Sequence, residues 1–450
     1  LIPRRHLGAT ESWSWAKAAP FLAYLAVQTV CVLGLRTTHF PDSAAYTELS
    51  FSGDAKRLQT VPLLFTALGS DPMRIAGQVV IAAGSWWFLA RVASELIRDR
   101  RVALGLRCVL LAFGLLTPIA SWNSAILSES TTLSLTAVLI AVWIRYAREV
   151  SWATAGTAVA VTVAWTFTRP DHLILVVLIL AVAVAAMLRR RNDVIPVAVV
   201  AALVLTSFAC FLDSGPRKYT SSQNVWYILS GRILPNQGWT AWFRDHGMPA
   251  LTQTANPNGV PDDLWSWIAA DGEHTYLRFV LSHPHYTLID PLPYFSGERA
   301  SLYLKNTSEY RPTHTSYAPT QPNPRPSFLS PSVNYARVRP VVPSVVERLL
   351  FDQGQFGEIF ALIALGAGLT VLSSRRFGRD ARILVPVLVA ASSIPQAYIV
   401  WLGGGETTGE LDRQSLTLAV SLRISLWIVI ACALDRLASA RRASRADQLG

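Results

Sequence analysis

The chain has 450 residues, 51% of them hydrophobic and 15% charged, with a formal net charge of +11. Soluble domains carry about 25% charged residues, so this balance excludes a water-soluble enzyme; 10% aromatic residues and 15 Trp also exclude a disordered scaffold or a fibrous repeat. The positive charge invites a nucleic-acid reading, but the placement of Arg and Lys gives it another meaning.

Apolar residues come in long blocks, not in alternation or in heptads. A bilayer span needs roughly 20 mostly apolar residues, and in lipid such a block satisfies its own backbone as a helix. In chain order the blocks lie at 18–35, 72–97, 102–120, 129–147, 152–168, 172–188, 194–212, 354–374, 383–402 and 416–435. The expectation is an all-α polytopic membrane protein with about ten transmembrane helices. A large extracytoplasmic loop region falls between spans seven and eight. This predicts an N-terminal transmembrane module over 1–212, an extracytoplasmic loop domain over 213–353 and a C-terminal transmembrane module over 354–450.

Sidedness follows from the basic residues. Arg4, Arg5 and Lys17 precede the first block. Arg98, Arg100 and Arg101, then Arg145 and Arg148, then Arg189 to Arg191 lie in alternate connections, as do Arg375, Arg376, Arg379 and Arg382. Arg436, Arg441, Arg442 and Arg445 follow the last block. With an even number of spans all of these fall on one side, which predicts a multi-pass plasma-membrane protein with both termini cytoplasmic. The charge is then a topology signal with some attraction to anionic lipid headgroups, and no nucleic-acid partner is expected. Cys31, Cys108, Cys210 and Cys432 all lie within or at the ends of blocks, so neither a disulfide framework nor a thiolate metal site is expected.

The first outer loop contains PDSAAYTEL over 41–49. Asp42 follows the first block closely, Pro41 enforces an extended entry, and a short helix from Ser43, capped by Asp42, would carry Tyr46 and Glu48. Asp42 and Tyr46, four apart, would share a face. In the second outer connection Asn123 and Glu129 stand out, Glu129 because an ionisable group at the start of a span is costly. A helix-start carboxylate favoured by the dipole is the plainer explanation. In the third, TRPD places Arg169 and Asp171 in a tight turn, either as a phosphate grip or as a mutual ion pair. The last outer connection carries Glu410 and Arg413, and Arg423 falls inside the final block. The long loop predicts an interfacial helix over 262–289 and an extended or irregular Pro-rich stretch over 311–343. Its Trp226, Trp239, Trp242, Trp265 and Trp267 suit either sugar stacking or interfacial packing.

Four outer connections thus offer carboxylates and guanidiniums at one membrane depth. That suits a lipid-linked anionic donor, which needs a cation for the leaving phosphate and a carboxylate to take a proton from the attacking hydroxyl. The cytoplasmic segments are short and hold neither a P-loop nor a dinucleotide fingerprint.

On PDSAAYTEL, LSES (127–130), TRPD (168–171), the HPxxY-like stretch FVLSHPHYTLIDPLPYF (279–295) and ExxR (Glu410 to Arg413), the chain resembles the GT-C superfamily of integral-membrane glycosyltransferases, in its bacterial, actinobacterial-type form. The resemblance implies transfer of a sugar from a polyprenyl-phosphate donor to a glycan, glycolipid or protein acceptor of the cell envelope. Transfer would be inverting, on the extracytoplasmic side, with Asp42 as general base. Arg169, Arg413 and His283 become the donor-phosphate residues, and Tyr46, Glu48, Asn123, Glu129, Asp171 and Glu410 the substrate-binding ones. Some members use a divalent cation, Mg or Mn; Glu48 and Glu129 are the carboxylates that would hold it here. Two other readings stand beside this one: a transporter or flippase of lipid-linked saccharide, and a non-catalytic membrane scaffold for cell-wall assembly.

Overall fold

A computed structural model describes residues 15–40, 42–51, 55–173, 176, 194–250, 260–296, 337–351, 368, 381–403 and 410–449. Among them the chain is helical and contains no strand; an isolated parallel bridge pairs Thr38 with Ala125. The first half holds α1 (Trp15–Val32), α2 (Ser43–Thr47), α3 (Thr60–Leu68), α4 (Asp71–Ser94), α5 (Arg100–Phe113), α6 (Thr117–Ala120), α7 (Glu129–Arg148), α8 (Trp152–Thr166) and α9 (Val194–Leu212). Then come α10 (Ser214–Ile228), α11 (Gln237–Asp245), α12 (Asp262–Trp267), α13 (Glu273–Ser282), α14 (Pro293–Ser296), α15 (Ser344–Phe351), α16 (Ala381–Gly403) and α17 (Glu410–Leu449).

Five described segments are long and apolar enough to cross a membrane: Asp71–Ser94, Glu129–Arg148, Val194–Leu212, Ile383–Gly403 and Arg413–Arg442. A sixth is the bent pair Arg100–Phe113 and Thr117–Ser124, which turns by 51°. The blocks expected at 18–35 and 152–168 are helical too, as α1 and α8. Those expected at 172–188 and 354–374 lie almost wholly outside the described residues, as does the Pro-rich stretch up to 336.

Local chemistry sets several helix ends. Pro72 sits in the first turn of α4, where its missing N–H costs nothing, beside Asp71, which the dipole favours. The Asp99 carboxylate accepts from the N–H groups of Arg101 and Val102 and opens α5. Ser151 and Thr154 form a capping box at α8. The bend after α5 has a packing cause. A side chain at Gly114 would stand 2.5 Å from the Trp86 ring and 2.6 Å from the Tyr24 hydroxyl. The chain therefore turns there without one, and Pro118 restarts it as α6.

Helix α7 is the centre of the bundle, against α4, α8, α16 and α17. Thirteen of its 20 residues are buried. Its first two turns read ESTTLSLT, and small hydroxyl residues let neighbouring backbones approach closely. Trp165 of α8 uses this, its indole N–H donating to Thr136 Oγ1 at 2.9 Å. A polar network at the same end crosses four elements. The Gln28 amide donates to Tyr24 Oη and to the Gly114 carbonyl, and its own Oε1 accepts from Asn123 Nδ2 at 3.2 Å. Gln78 Nε2 donates to the carbonyls of Asn123 and Ala125. At the opposite end, the fully buried Asp435 accepts from the N–H groups of Arg98 and Asp99, which pins α17 to the turn between α4 and α5.

The described part of the long loop folds on an aromatic core. Phe243, Tyr276, Phe279, Tyr286 and Tyr294 pack with Ala397, Val400 and Trp401 of α16 and Leu418 of α17. Arg232 is buried over the Trp401 ring, 3.5 Å from its centroid, and donates to the Trp401 carbonyl. The helix expected over 262–289 is built in pieces: α12, a π-helical turn, α13 and a second π-helical turn beyond His283 and Pro284.

Candidate functional site

Two docking contacts assemble the loops at the end of the bundle that carries Asp42. The segment after α1 is tied to the turn before α7 by Thr38 N–H to the Ser124 carbonyl (2.9 Å) and Ile126 N–H to the Thr38 carbonyl (3.1 Å). Ser43 strengthens this, accepting from Phe40 N–H and donating to the Ile126 carbonyl at 2.7 Å. Thr60, at the start of α3, donates through its N–H and hydroxyl to the carbonyls of Phe167 and Ala164, which brings the end of α8 alongside.

Asp42 occupies the position before α2, but its side chain does not cap that helix. The expected capping role is therefore corrected: two guanidiniums engage the carboxylate instead. Asp42 Oδ2 is 2.9 Å from Arg57 Nη2 and 3.6 Å from Arg413 Nη2. Arg413 Nε lies 3.3 Å from Glu129 Oε1. Arg57 also lies over the Tyr46 ring, 5.1 Å from its centroid. The Tyr46 hydroxyl, buried, accepts from Ser128 Oγ at 3.2 Å. Desolvation raises the Tyr46 pKa above the ordinary phenol value despite the nearby Arg57, so this ring stays a neutral phenol. Arg57 thus touches both Asp42 and Tyr46.

Arg169 pairs with Asp171, Nε to Oδ1 at 3.2 Å. Burial opposes the Arg169 charge, but Asp171 and then Glu129 outweigh it and hold the guanidinium more firmly protonated than usual. Asp171 is likewise penalised by burial, and the Arg169 charge together with His172 and hydrogen bonds outweighs that, keeping its carboxyl below the ordinary range. Glu129 and Tyr46 add to the field that favours the Arg169 charge, and Arg413 opposes it.

Burial grades the cluster. The Asp42 side chain remains 27% exposed, Arg57 and Arg413 are 13% and 15% exposed behind it, and Glu129 is 4% exposed. Glu129 Oε2 is buried with no hydrogen-bond partner among the described residues. Buried polar atoms are nearly always partnered, so this oxygen is a place for a donor group.

Other expected residues lie elsewhere or do other work. Asn123 is consumed by the network behind the site: its amide donates to Gln28, and its Oδ1 accepts from Ser130 Oγ at 2.7 Å. Glu48 stands just past the end of α2, not within it, and is exposed. His283 stacks on Phe279 at 4.1 Å and meets Trp242 edge-on, within the aromatic core of the long loop. Trp239 and Trp242 pack against Phe279 in that same core. Arg423 is buried over the Phe351 ring and donates to the Ala419 carbonyl. The side chain of Glu410 lies outside the described residues. Among the described residues, no three His, Cys, Asp or Glu side chains converge to hold a metal ion. Glu48 makes no ion pair there, and Arg413 already lies against both Asp42 and Glu129. Among the described residues this donor set does not fit a divalent cation.

Arg57 is the residue that the sequence reading passed over. Its signal was its side: Lys56 and Arg57 are basic residues in an expected outer loop, against the usual bias.

No family model matches the chain, and no curated protein matches it. Among solved structures it is similar to the archaeal oligosaccharyltransferase AglB from Archaeoglobus fulgidus, in complex with an inhibitory peptide and a dolichol-phosphate. The identity is 11% and the TM-score 0.43, covering 96% of this chain and 52% of that one. The chain thus spans about half the length of that protein. A likeness at this score carries no argument, so the functional reading rests on the chain's own residues.

Proposed function

We propose that the protein is a GT-C-type membrane glycosyltransferase that moves a sugar from a polyprenyl phosphate to an acceptor hydroxyl on the extracytoplasmic side. The observation that carries the reading is the position of Asp42. Its partly exposed carboxylate stands just past the first apolar helix, does not cap the helix it precedes, and meets guanidiniums from two other parts of the chain.

In this reading Asp42 takes the proton of the acceptor hydroxyl. The oxygen attacks the anomeric carbon, the bond from that carbon to the phosphate oxygen breaks, and prenyl phosphate leaves with the electron pair, inverting the centre. Arg413, Arg57 and Arg169 are the cations that would stabilise the departing phosphate. A sugar hydroxyl would supply the donor that Glu129 Oε2 lacks. The buried set of mixed charge also suits a reaction in which negative charge moves from sugar linkage to free phosphate.

The test is a panel of radiolabelled prenyl-phosphate sugars given to the purified protein in nanodiscs with cell-envelope acceptor fractions. The reading expects one donor class to be consumed, releasing prenyl phosphate and a glycosylated product of inverted anomeric configuration. Translocation of an intact lipid-linked saccharide without cleavage would favour a flippase. No consumption of any donor would overturn the proposal.

A further inference from the structure

We propose that the long loop is fastened to the bilayer by an apolar face of Leu277, Leu281, Leu288, Ile289 and Leu292, which enters the leaflet at the C-terminal end of α16. This attachment does not depend on any reaction at Asp42.

Helix α13 turns Tyr276 and Phe279 into the aromatic core of the loop. Leu277 and Leu281, four apart and so neighbours on one face, point the other way; Leu281 is 76% exposed. Thr287 Oγ1 donates to the Val280 carbonyl at 2.6 Å, which sets the following π-helical turn against the end of α13. That turn and the residues after it leave Leu288, Ile289 and Leu292 exposed by 55%, 49% and 48%. Large apolar side chains grouped like this in one short stretch mark a surface that something covers.

Helix α16 identifies the cover. It is long and apolar enough to cross a membrane. Its exposed residues are Leu384, Leu388, Ala391 and Ile394, three or four apart, so one stripe of the span faces out of the bundle. Tyr398, one turn beyond Ile394, extends the stripe. Its hydroxyl donates to the Leu288 carbonyl at 3.0 Å, and its ring meets Phe295 at 6.2 Å. The side of the span that faces lipid therefore runs straight into the apolar face of the loop. A tyrosine, apolar in body and polar at its tip, suits the membrane–water boundary at that point.

Charge agrees with lipid as the partner. Between His274 and Leu292 the one carboxylate is Asp290, whose side chain is 12% exposed, whereas His274, Arg278 and His285 are exposed. The exposed carboxylates Asp262, Asp263, Asp271 and Glu273 all precede this stretch. An apolar face with a basic fringe fits hydrocarbon beneath lipid phosphates, and the Arg278 stem can lie along that surface while its head reaches a phosphate. The leaflet contact thus belongs to the second half of the interfacial helix expected over 262–289 and passes beyond its end.

The test uses the full chain in nanodiscs of phosphatidylcholine and phosphatidylglycerol, with Cys108→Ser removing the exposed thiol; the other three cysteines are buried. A bimane probe is attached at Leu281→Cys, at Leu292→Cys, or at Ala270→Cys beside the exposed Asp271 as the aqueous reference. Two sites on the face are used so that either decides if the other variant fails to fold. A face held about 5–10 Å into the headgroup–acyl boundary predicts about twofold or more extra quenching by lipids with a nitroxide high on the acyl chain, relative to position 270, and the reverse order with aqueous iodide. Iodide quenching at 281 and 292 equal to that at 270 overturns the proposal. Protection from both quenchers also overturns it, because protein, from this chain or from a partner, would then cover the face.

Discussion

Arg413 is the residue whose removal the structure prices most directly, because it touches two carboxylates of different burial. Arg413→Gln leaves Glu129, whose side chain is 4% exposed, without the cation 3.3 Å from its Oε1. Removing one partner of a buried pair costs about 3–5 kcal/mol. Asp42 keeps Arg57 and is 27% exposed, so its share of the loss is under about 1 kcal/mol. The expected cost of Arg413→Gln is therefore about 3 kcal/mol, nearly all of it through Glu129. Glu129→Gln removes the buried charge and leaves Arg413 with Asp42; it costs about 1–2 kcal/mol. The double variant then costs about 2 kcal/mol, less than Arg413→Gln alone. Equilibrium unfolding in mixed micelles, run as a double-mutant cycle, measures this. A double-variant cost equal to the sum of the single costs within about 0.5 kcal/mol would show the two sites to be independent and refute the reasoning.

Two further outcomes are expected. Asp171 has a folded-state pKa below its ordinary value of about 3.9, so its contribution to stability is complete above that pH and is lost as pH falls through the folded value. Thermal stability followed downward from pH 5 should decline, and Asp171→Asn should lower stability near neutral pH while flattening the acid-side decline; an unaltered acid limb would contradict the pairing with Arg169. Gly114→Ala drives a methyl into Trp86 and the Tyr24 hydroxyl at 2.5 and 2.6 Å and should cost about 1–3 kcal/mol, read as a loss of folded yield and of melting temperature. A neutral substitution would mean that the bend after α5 is not set by that contact.

The membrane helices were legible because lipid imposes a simple rule, roughly 20 apolar residues closed on their own hydrogen bonds. The blocks at 72–97, 129–147, 194–212 and 383–402 coincide closely with α4, α7, α9 and α16. The bend within the third block was not legible, since it depends on Trp86 and Tyr24 meeting Gly114 from other helices. At the site, Asp42, Glu129 and Arg413 could be proposed one loop at a time, each as an ionisable group at a span boundary. Their mutual contacts could not, because they join distant parts of the chain. Asn123 has partners that the sequence did not reveal. A polar residue in an outer turn reads as a ligand for substrate, yet its partner is Gln28, a polar residue inside the first apolar block. That intramembrane amide was the available clue, since polar groups in lipid seek polar partners. The surroundings of His283 were equally hidden, its ring packing on an aromatic core that only the folded loop creates.

The most direct measurement is the single-turnover rate of sugar transfer from a prenyl-phosphate donor, compared between wild type and Asp42→Asn. The account predicts a fall of about 10²–10⁴-fold, the usual worth of a general base, in a variant that still folds and still binds farnesyl phosphate. Transfer at an undiminished rate by that variant would contradict it.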